Sequence, residues 1–337
     1  MIDVAVTPNL SAWPEIEDQA DWNTLLLGNG ASVNIWSGFS YTSLYEIAVS
    51  EFDKSARAAF EQLETSNFEE VLAGLSLARG LASAVGAPFD WVDPVYDQVR
   101  DGLFHAVGAT HVPWDVVPTP TREALGQHMV RYKTVFTLNY DLLLYWSLQL
   151  DSIRPRVADL FWNAGSTFDA LNANVGINKT EILHLHGGLH LWRDAVTGAS
   201  GKWTTANLHQ RLLDDLRGRY RAERRKQPLF VSEGRSIDKL RAIQRSDYLS
   251  FAHRRLQEDQ AHTVVFGAGL GASDRHVAEA LATGQQRSIA VSVYPHQDPA
   301  DIMAIKLQLR KDLRPLQVLF FDSTTHPLGD PALQIEA

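Results

Sequence analysis

The chain has 337 residues, 45% of them hydrophobic, which is enough to bury a large core as one α/β domain or as a domain with a sizeable insertion. Its 31 basic and 40 acidic residues leave a net charge of -9, which argues against broad, non-specific attraction to nucleic acid or anionic membrane. Cysteine is absent, so disulfides, thiolate nucleophiles, iron–sulfur clusters and cysteine-held zinc are excluded. The N-terminal M-I-D-V-A-V-T-P-N lacks the basic and apolar regions of a secretory leader, and no stretch approaches the roughly 18 apolar residues of a membrane span. A soluble cytoplasmic protein is expected.

Thr24 to Leu27 predicts a strand that runs into G-N-G-A-S, Gly28 to Ser32. Glycines there permit positive φ and close approach of backbone to a ligand, and Ser32 offers a hydroxyl and an amide to a phosphate or ribose. An ordinary Asn29-Gly30 hairpin turn is the competing reading. From Tyr41 to Tyr132 the pattern is helical. Asn67 and Glu70 are spaced as a capping box, a helix from about Pro94 carries Val95, Val99, Leu103 and Val107 on one face, and the proline-rich His111 to Pro120 precedes a further helix, Thr121 to Tyr132. A single crossover between strands needs far less chain. Residues 51–132 are therefore expected to form a helical insertion, with 1–50 and 133–337 forming the sheet domain.

The stretch V-F-T-L-N-Y-D, Val135 to Asp141, is a short apolar strand ending in polar side chains. Asn139 and Asp141 would sit at the carboxyl end of that strand, the edge where open α/β sheets bind ligands, and Asp141 is also placed to cap a helix over Leu142 to Leu150. Next comes E-I-L-H-L-H-G-G-L-H-L-W, Glu181 to Trp192, with His184 and His186 on one strand face and His186 at the strand end. His184, His186 and His190 invite a metal reading. Gly187-Gly188 intervene, however, and no acidic ligand is spaced nearby, so no metal is expected and His184 reads as core. Leu189 to Arg193 and Lys202 to Thr205 predict a small hairpin lying over the site as a flap.

Leu208 to Lys226, with Arg217, Arg219, Arg221, Arg224 and Arg225, reads as a basic helix with a solvated face rather than a nucleic-acid surface. Pro228 to Val231 predicts a strand followed by S-E-G, Ser232 to Gly234, and helices are expected from Ser236 and Ser246. Thr263 to Phe266 then leads into G-A-G-L-G-A-S-D, with Ser273 capping a helix that carries Val277, Ala280 and Leu281. Ile289 to Val293, a helix start at Asp298-Pro299, and Val318 to Phe321 complete a β-α-β-α-β run. Strands alternating with helices predict an α/β fold with a Rossmann-like, mainly parallel sheet flanked by helices.

Two glycine turns after strands, with polar groups at two other strand ends, suit a nucleotide-sized site. Neither turn has the G-x-G-x-x-G of dehydrogenases, and G-x-x-x-x-G-K-[ST] is absent, so hydride transfer and phosphate-loop ATP hydrolysis are both disfavoured. In their order, G-N-G-A-S, T-L-N-Y-D, H-L-H-G and V-F-G-A-G-L-G-A-S-D resemble the sirtuin-like domains of bacteria. F-T-L-N-Y-D-L-L-L-Y-W and P-L-F-V-S-E-G resemble a branch described only as a domain of unknown function. The resemblance spans about Leu25 to Val293.

The resemblance implies that Gly28, Asn29, Gly30 and Ser32 form the first nucleotide-binding turn, that Asn139 and Asp141 sit beside the nicotinamide and its ribose, and that His186 is the catalytic base. It places Gly267, Gly269, Ser273 and Asp274 at the adenosine part, and makes Ser232 and Glu233 a further cofactor-facing turn. Several relatives cleave NAD as effectors of anti-phage systems. The implied activity is hydrolysis of NAD, as substrate, to nicotinamide and ADP-ribose, under the control of oligomerisation or of a partner such as a DNA-translocating ATPase or an Argonaute-like protein. Protein-deacylating sirtuins carry a zinc module held by four cysteines, so deacylation is disfavoured here. Nicotinamide leaves as a neutral molecule, so no general acid is needed and the transition state is oxocarbenium-like. Asp141 would engage the carboxamide, Asn139 would orient water or ribose hydroxyls, and His186 would accept a proton. A module that senses NAD or ADP-ribose without turnover is the alternative.

Overall fold

The structure, a computed structural model, describes residues 7–204, 212–223, 225–283 and 285–335, apart from the side chains of residues 214, 217 and 221. Thr205, Leu208, Arg224 and the side chains of Arg217 and Arg221, part of the hairpin and basic-helix readings, therefore lie outside the described residues.

Ten strands form two sheets among the described residues. They are β1 Trp22–Leu27, β2 Thr134–Thr137, β3 Val157–Ala158, β4 Thr180–His184, β5 Gly187–Asp194, β6 Ser200–Lys202, β7 Lys226–Phe230, β8 His262–Phe266, β9 Ser288–Val293 and β10 Gln317–Asp322. The large sheet has the order β10-β9-β8-β1-β2-β4-β3, and all its pairs are parallel. This is a Rossmann-like α/β fold. Successive residues on the central strands, Leu25 and Leu26, Val135 and Phe136, Ile182 and Leu183, Val264 and Val265, are all 0% exposed. Helices cover both faces, as a parallel sheet requires, and this explains the continuous apolar runs of these strands.

From central β1 the chain moves out through β2 to β4 and β3, then returns to β8 on the other side. The β1–β8 boundary is therefore a topological switch point, where loops at the carboxyl ends diverge and leave a crevice. Both glycine turns lie there and pack on each other. Gly28 N–H donates to Phe266 O, and Gly30 N–H donates to Gly267 O, each at 2.9 Å. A Cβ on Gly28 would stand 2.5 Å from Ala268 Cα, and one on Gly267, whose φ is +70°, would stand 2.4 Å from Ala31 N. The Asn29-Gly30 pair opens the helix Asn29–Ile35 and is not a hairpin turn. Gly267→Ala is expected to destabilise the fold by about 2 kcal/mol or more, since a left-handed non-glycine residue costs about 1–3 kcal/mol before any clash; urea unfolding checks this.

Between β1 and β2 lie the helices Tyr41–Ala48, Lys54–Gln62, Phe68–Val85, Val92–Thr110 and Thr119–Met129. The helix Val92–Thr110 buries Val95, Val99, Leu103 and Val107, as their spacing predicts. The capping box is half formed: Asn67 accepts from Glu69 N–H, but its own N–H goes to Thr65 Oγ1 and Glu70 bonds only the Asn67 side-chain amide.

The predicted flap is a correction. β5 is the central strand of an antiparallel trio, β6-β5-β7, and Leu189, Leu191 and Trp192 on it are buried. The added neighbour β7 covers what a two-stranded hairpin would expose. The basic stretch also divides. Its helix is Leu212–Ala222, and Lys226 begins β7 with its ammonium 4.3 Å from the Trp192 ring centre and 4.5 Å from that of Trp203. Arg219, Arg225 and Lys226 are paired with Asp215, Asp194 and Glu223. No helix among the described residues is long and apolar enough to cross a membrane.

Candidate functional site at the sheet switch point

β2 ends at Thr137, and Asn139 is held just beyond it by its N–H to Thr137 Oγ1, at 3.1 Å. The amide Nδ2 of Asn139 donates to Ser32 Oγ at 2.8 Å, and that hydroxyl donates to Asp141 Oδ2 at 2.6 Å. The first glycine turn and the T-L-N-Y-D stretch are thereby joined in one relay of buried hydrogen bonds, which also fixes the orientation of the Asn139 amide. Asp141 Oδ1 accepts the Leu143 N–H at 2.8 Å at the start of the helix Leu143–Leu148, so the capping role expected of Asp141 is present. His111 Nε2 accepts the Leu142 N–H at 2.7 Å, which leaves Nδ1 to donate to Val112 O at 2.8 Å. One atom of the relay is left over. Asn139 Oδ1 is buried with no protein partner, although a buried carbonyl oxygen ordinarily has one.

His186 follows β4 where the chain turns into β5, and the backbone closes with Val231 N–H donating to His186 O at 3.0 Å. Its Nε2 lies 3.0 Å from His276 Nε2, and His276 Nδ1 lies 3.2 Å from Ser236 Oγ. Ser236 Oγ also accepts the His276 backbone N–H at 2.8 Å. A consistent assignment has Ser236 Oγ accepting from His276 Nδ1–H and His276 Nε2 accepting from His186 Nε2–H. His186 Nδ1 then carries the free lone pair. This replaces the expected Ser273 cap: Ser273 lies in the short turn Ala272–Asp274, and the first turn of the helix Arg275–Ala282 is closed by Ser236 from a neighbouring helix.

Behind the histidines is a buried ionic cluster. Lys239, 0% exposed, donates to Glu69 Oε1 and Asp274 Oδ1, each at 2.8 Å, and Asp274 lies 3.9 Å from His186 Nε2. Burial pushes the Glu69 carboxyl up, with the Asp274 charge adding and Lys239 opposing. Against its own burial, Asp274 is held low by Lys239 and the histidines. Glu69 and Asp274 therefore share one ammonium, with Asp274 the more firmly ionised. Burial, reinforced by Lys239, holds His186 well below its ordinary value despite Asp274, so the imidazole is neutral at pH 7.

A cavity of about 440 Å³ is lined by Gly28, Asn29, Gly30, Asn139, Asp141, His186, Gly267, Gly269 and Asp274. Nine of the predicted residues thus meet around one space. Asn29 spends its amide on Phe39 O at 3.1 Å. Gly30, Val33 and Gly267 to Gly269 also line an adjoining cavity of about 690 Å³ that runs toward Tyr294 and His296. Asp274 falls in the first cavity with His186, not in the adjoining one. Ser32 supports the first cavity from behind, and Ser273 lies outside both. The S-E-G turn is elsewhere: Ser232 is buried with its hydroxyl unpartnered, and Glu233 lines a different cavity.

His276, Lys239, Glu69 and Ser236 were not found in the sequence. They come from three helices, with Ser236 and Lys239 on the same one, and carry no local motif. His186, Asp274 and His276 offer ligand atoms within 4.8 Å of one another, a geometry that could hold a metal ion. The Lys239 ammonium, 2.8 Å from the same Asp274 oxygen, opposes a dication there. His184 and His190 pair with each other, ring centres 5.0 Å apart, away from this cluster.

Burial holds His128, His184 and His276 at about 4 and His326 at about 2. All lie below the unfolded value of about 6.5, so their contribution to stability is complete above pH 6.5 and is lost as pH falls toward the folded values. Each histidine removes about 1.4 kcal/mol per pH unit in that window. Unfolding followed by circular dichroism is therefore expected between about pH 4 and 6, and unchanged urea stability from pH 7 to 5 would contradict it.

No curated protein matches the chain. Residues 25–328 match a family described as Domain of unknown function (DUF4917), a span that includes both glycine turns, Asn139, Asp141, His186 and the ionic cluster, and the chain belongs to that family.

Proposed function

We propose that the chain hydrolyses NAD to nicotinamide and ADP-ribose, acting as a sirtuin-like NAD glycohydrolase without a zinc module. The observation that carries the reading is the pairing, in one cavity, of an unpartnered buried acceptor, Asn139 Oδ1, with a neutral histidine, His186. The adjoining cavity across the shared glycines supports a dinucleotide lying over the switch point, one half in each space. In the reaction the bond between ribose C1′ and the nicotinamide nitrogen breaks, and its electron pair neutralises the departing ring. Water adds to C1′, and its proton passes to His186. Asn139 Oδ1 accepts from that water or from a ribose hydroxyl and holds it in place. The carboxyl groups of Asp141, Asp274 and Glu69 line the same cavity and favour a cationic ring and the oxocarbenium-like transition state. A role as a regulated effector of anti-phage defence, activated by oligomerisation or by a partner protein, rests on the resemblance of the motifs.

The test is nicotinamide release from NAD, followed by chromatography on the purified chain, alone and with candidate activating proteins. Product is expected, and its rate should be unchanged by EDTA. Loss with chelator and recovery with zinc would make His186, Asp274 and His276 a metal site. NAD binding without any product would replace hydrolysis by sensing.

A further inference from the structure

A second cavity, of about 810 Å³, is walled by the helix Val92–Thr110, by β7 and by the helices Ser236–Gln244 and Asp247–Glu258. This volume lies within the range of sites that hold small organic ligands. Its lining carries three acids, Glu51, Asp101 and Glu233, and three arginines, Arg100, Arg193 and Arg245, but they are not all paired with one another. Arg100 is committed to Asp97 and Asp101, at 2.9 and 3.0 Å, and His105 faces Glu51 at 3.4 Å. Arg193 and Arg245, which line the same cavity, have no carboxylate within ion-pair distance among the described residues, and Arg193 Nε is buried without any partner. The remaining acid, Glu233, has a buried unpartnered Oε2, and burial raises its pKa, which weakens its claim on either guanidinium. The wall also carries rings. Phe104 stands edge-on to Phe230 with centres 5.4 Å apart and to Tyr220 at 6.1 Å.

A guanidinium binds phosphate oxygens through paired N–H donors, and an aromatic surface packs against a flat heterocycle, so this lining offers the two kinds of group that such a ligand needs. We propose that this cavity is a second ligand site, for an organic phosphate bearing a flat heterocycle, a nucleoside monophosphate in chemical class, with Arg193 and Arg245 on the phosphate and Phe104 and Phe230 against the ring. The S-E-G turn finds its place here, through Glu233. The proposal does not depend on NAD cleavage, because none of its residues lines the Asn139 cavity.

Calorimetric titration of the full chain with AMP, adenosine and inorganic phosphate tests it. AMP is expected to bind, with adenosine and phosphate each at least tenfold weaker. Arg193→Gln and Arg245→Gln should each weaken AMP at least tenfold, while Asn139→Ala should leave it unchanged. Arg245 is exposed, so its variant keeps the test readable even where Arg193→Gln does not fold. AMP binding that is absent, or equal in Arg245→Gln, or lost in Asn139→Ala, overturns the site. Phosphate binding as tightly as AMP overturns the ring-bearing class.

Discussion

Alanine at His186 or at Asn139 is expected to lower the rate of nicotinamide release from NAD by at least about 100-fold, because removing a general base typically costs about 10²–10⁴-fold and misplacing a reactant by about 1 Å costs about 10²-fold. The two variants should differ in kind. His186→Ala removes the base and leaves the Ser32 relay whole, so binding of NAD should persist while turnover falls. Asn139→Ala removes the free acceptor and the donor to Ser32, so both KM and kcat should move. His186 is held well below its ordinary value by burial and Lys239, and so remains the neutral base below pH 6.5. The wild-type rate should then be flat from pH 8 down through 6.5 and fall only in stronger acid, as far as the fold survives. Variants that release nicotinamide at the wild-type rate would sink the assignment of both residues.

The largest expected effect on stability is at Lys239. In Lys239→Met the Glu69 and Asp274 carboxyls lose the ammonium that each contacts at 2.8 Å. Breaking a buried ion pair from one side costs about 3–5 kcal/mol, a large share of a typical total of about 5–15 kcal/mol. The unfolding midpoint in urea should drop accordingly. Lys239→Met/Asp274→Asn together should be less destabilising than the sum of the two single changes, since the second removes a charge that the first strands. Strict additivity would mean that the three groups are not coupled.

Much of this architecture is legible in the sequence. The buried parallel strands announce themselves as apolar runs because both their faces are covered, and the polar residues at their ends, Asn139 and His186, stand out for the same reason. What stayed hidden depends on side chains that meet only after folding. His276 looks like any residue in a helix start, and only the approach of Ser236 and His186 gives it a tautomer. Glu69 looks like first-turn acid on a surface helix, yet it is buried against Lys239, 170 positions away. The cavity that the S-E-G turn faces is not legible either, because motif order says which strand end it follows, but not which side of Tyr140 it lies on. Tyr140, ring centre 4.1 Å from Phe230 and hydroxyl donating to Val231 O, stands between the two cavities.

Glu69 has one further consequence. It lies in the helical run between β1 and β2, while its partners Lys239 and Asp274 lie on the helix Ser236–Gln244 and in the turn Ala272–Asp274 after β8. The backbone of Gly234 is pressed against the same helix, where a Cβ would stand 2.0 Å from Glu69 O. Exchanging that helical run for one of similar length from another protein would therefore remove one of the two carboxylates that hold Lys239 and collide with a loop. The run is not an interchangeable module. Its sequence is expected to change in step with positions 234, 239 and 274, so that a relative lacking an acid at position 69 should also lack the lysine at 239.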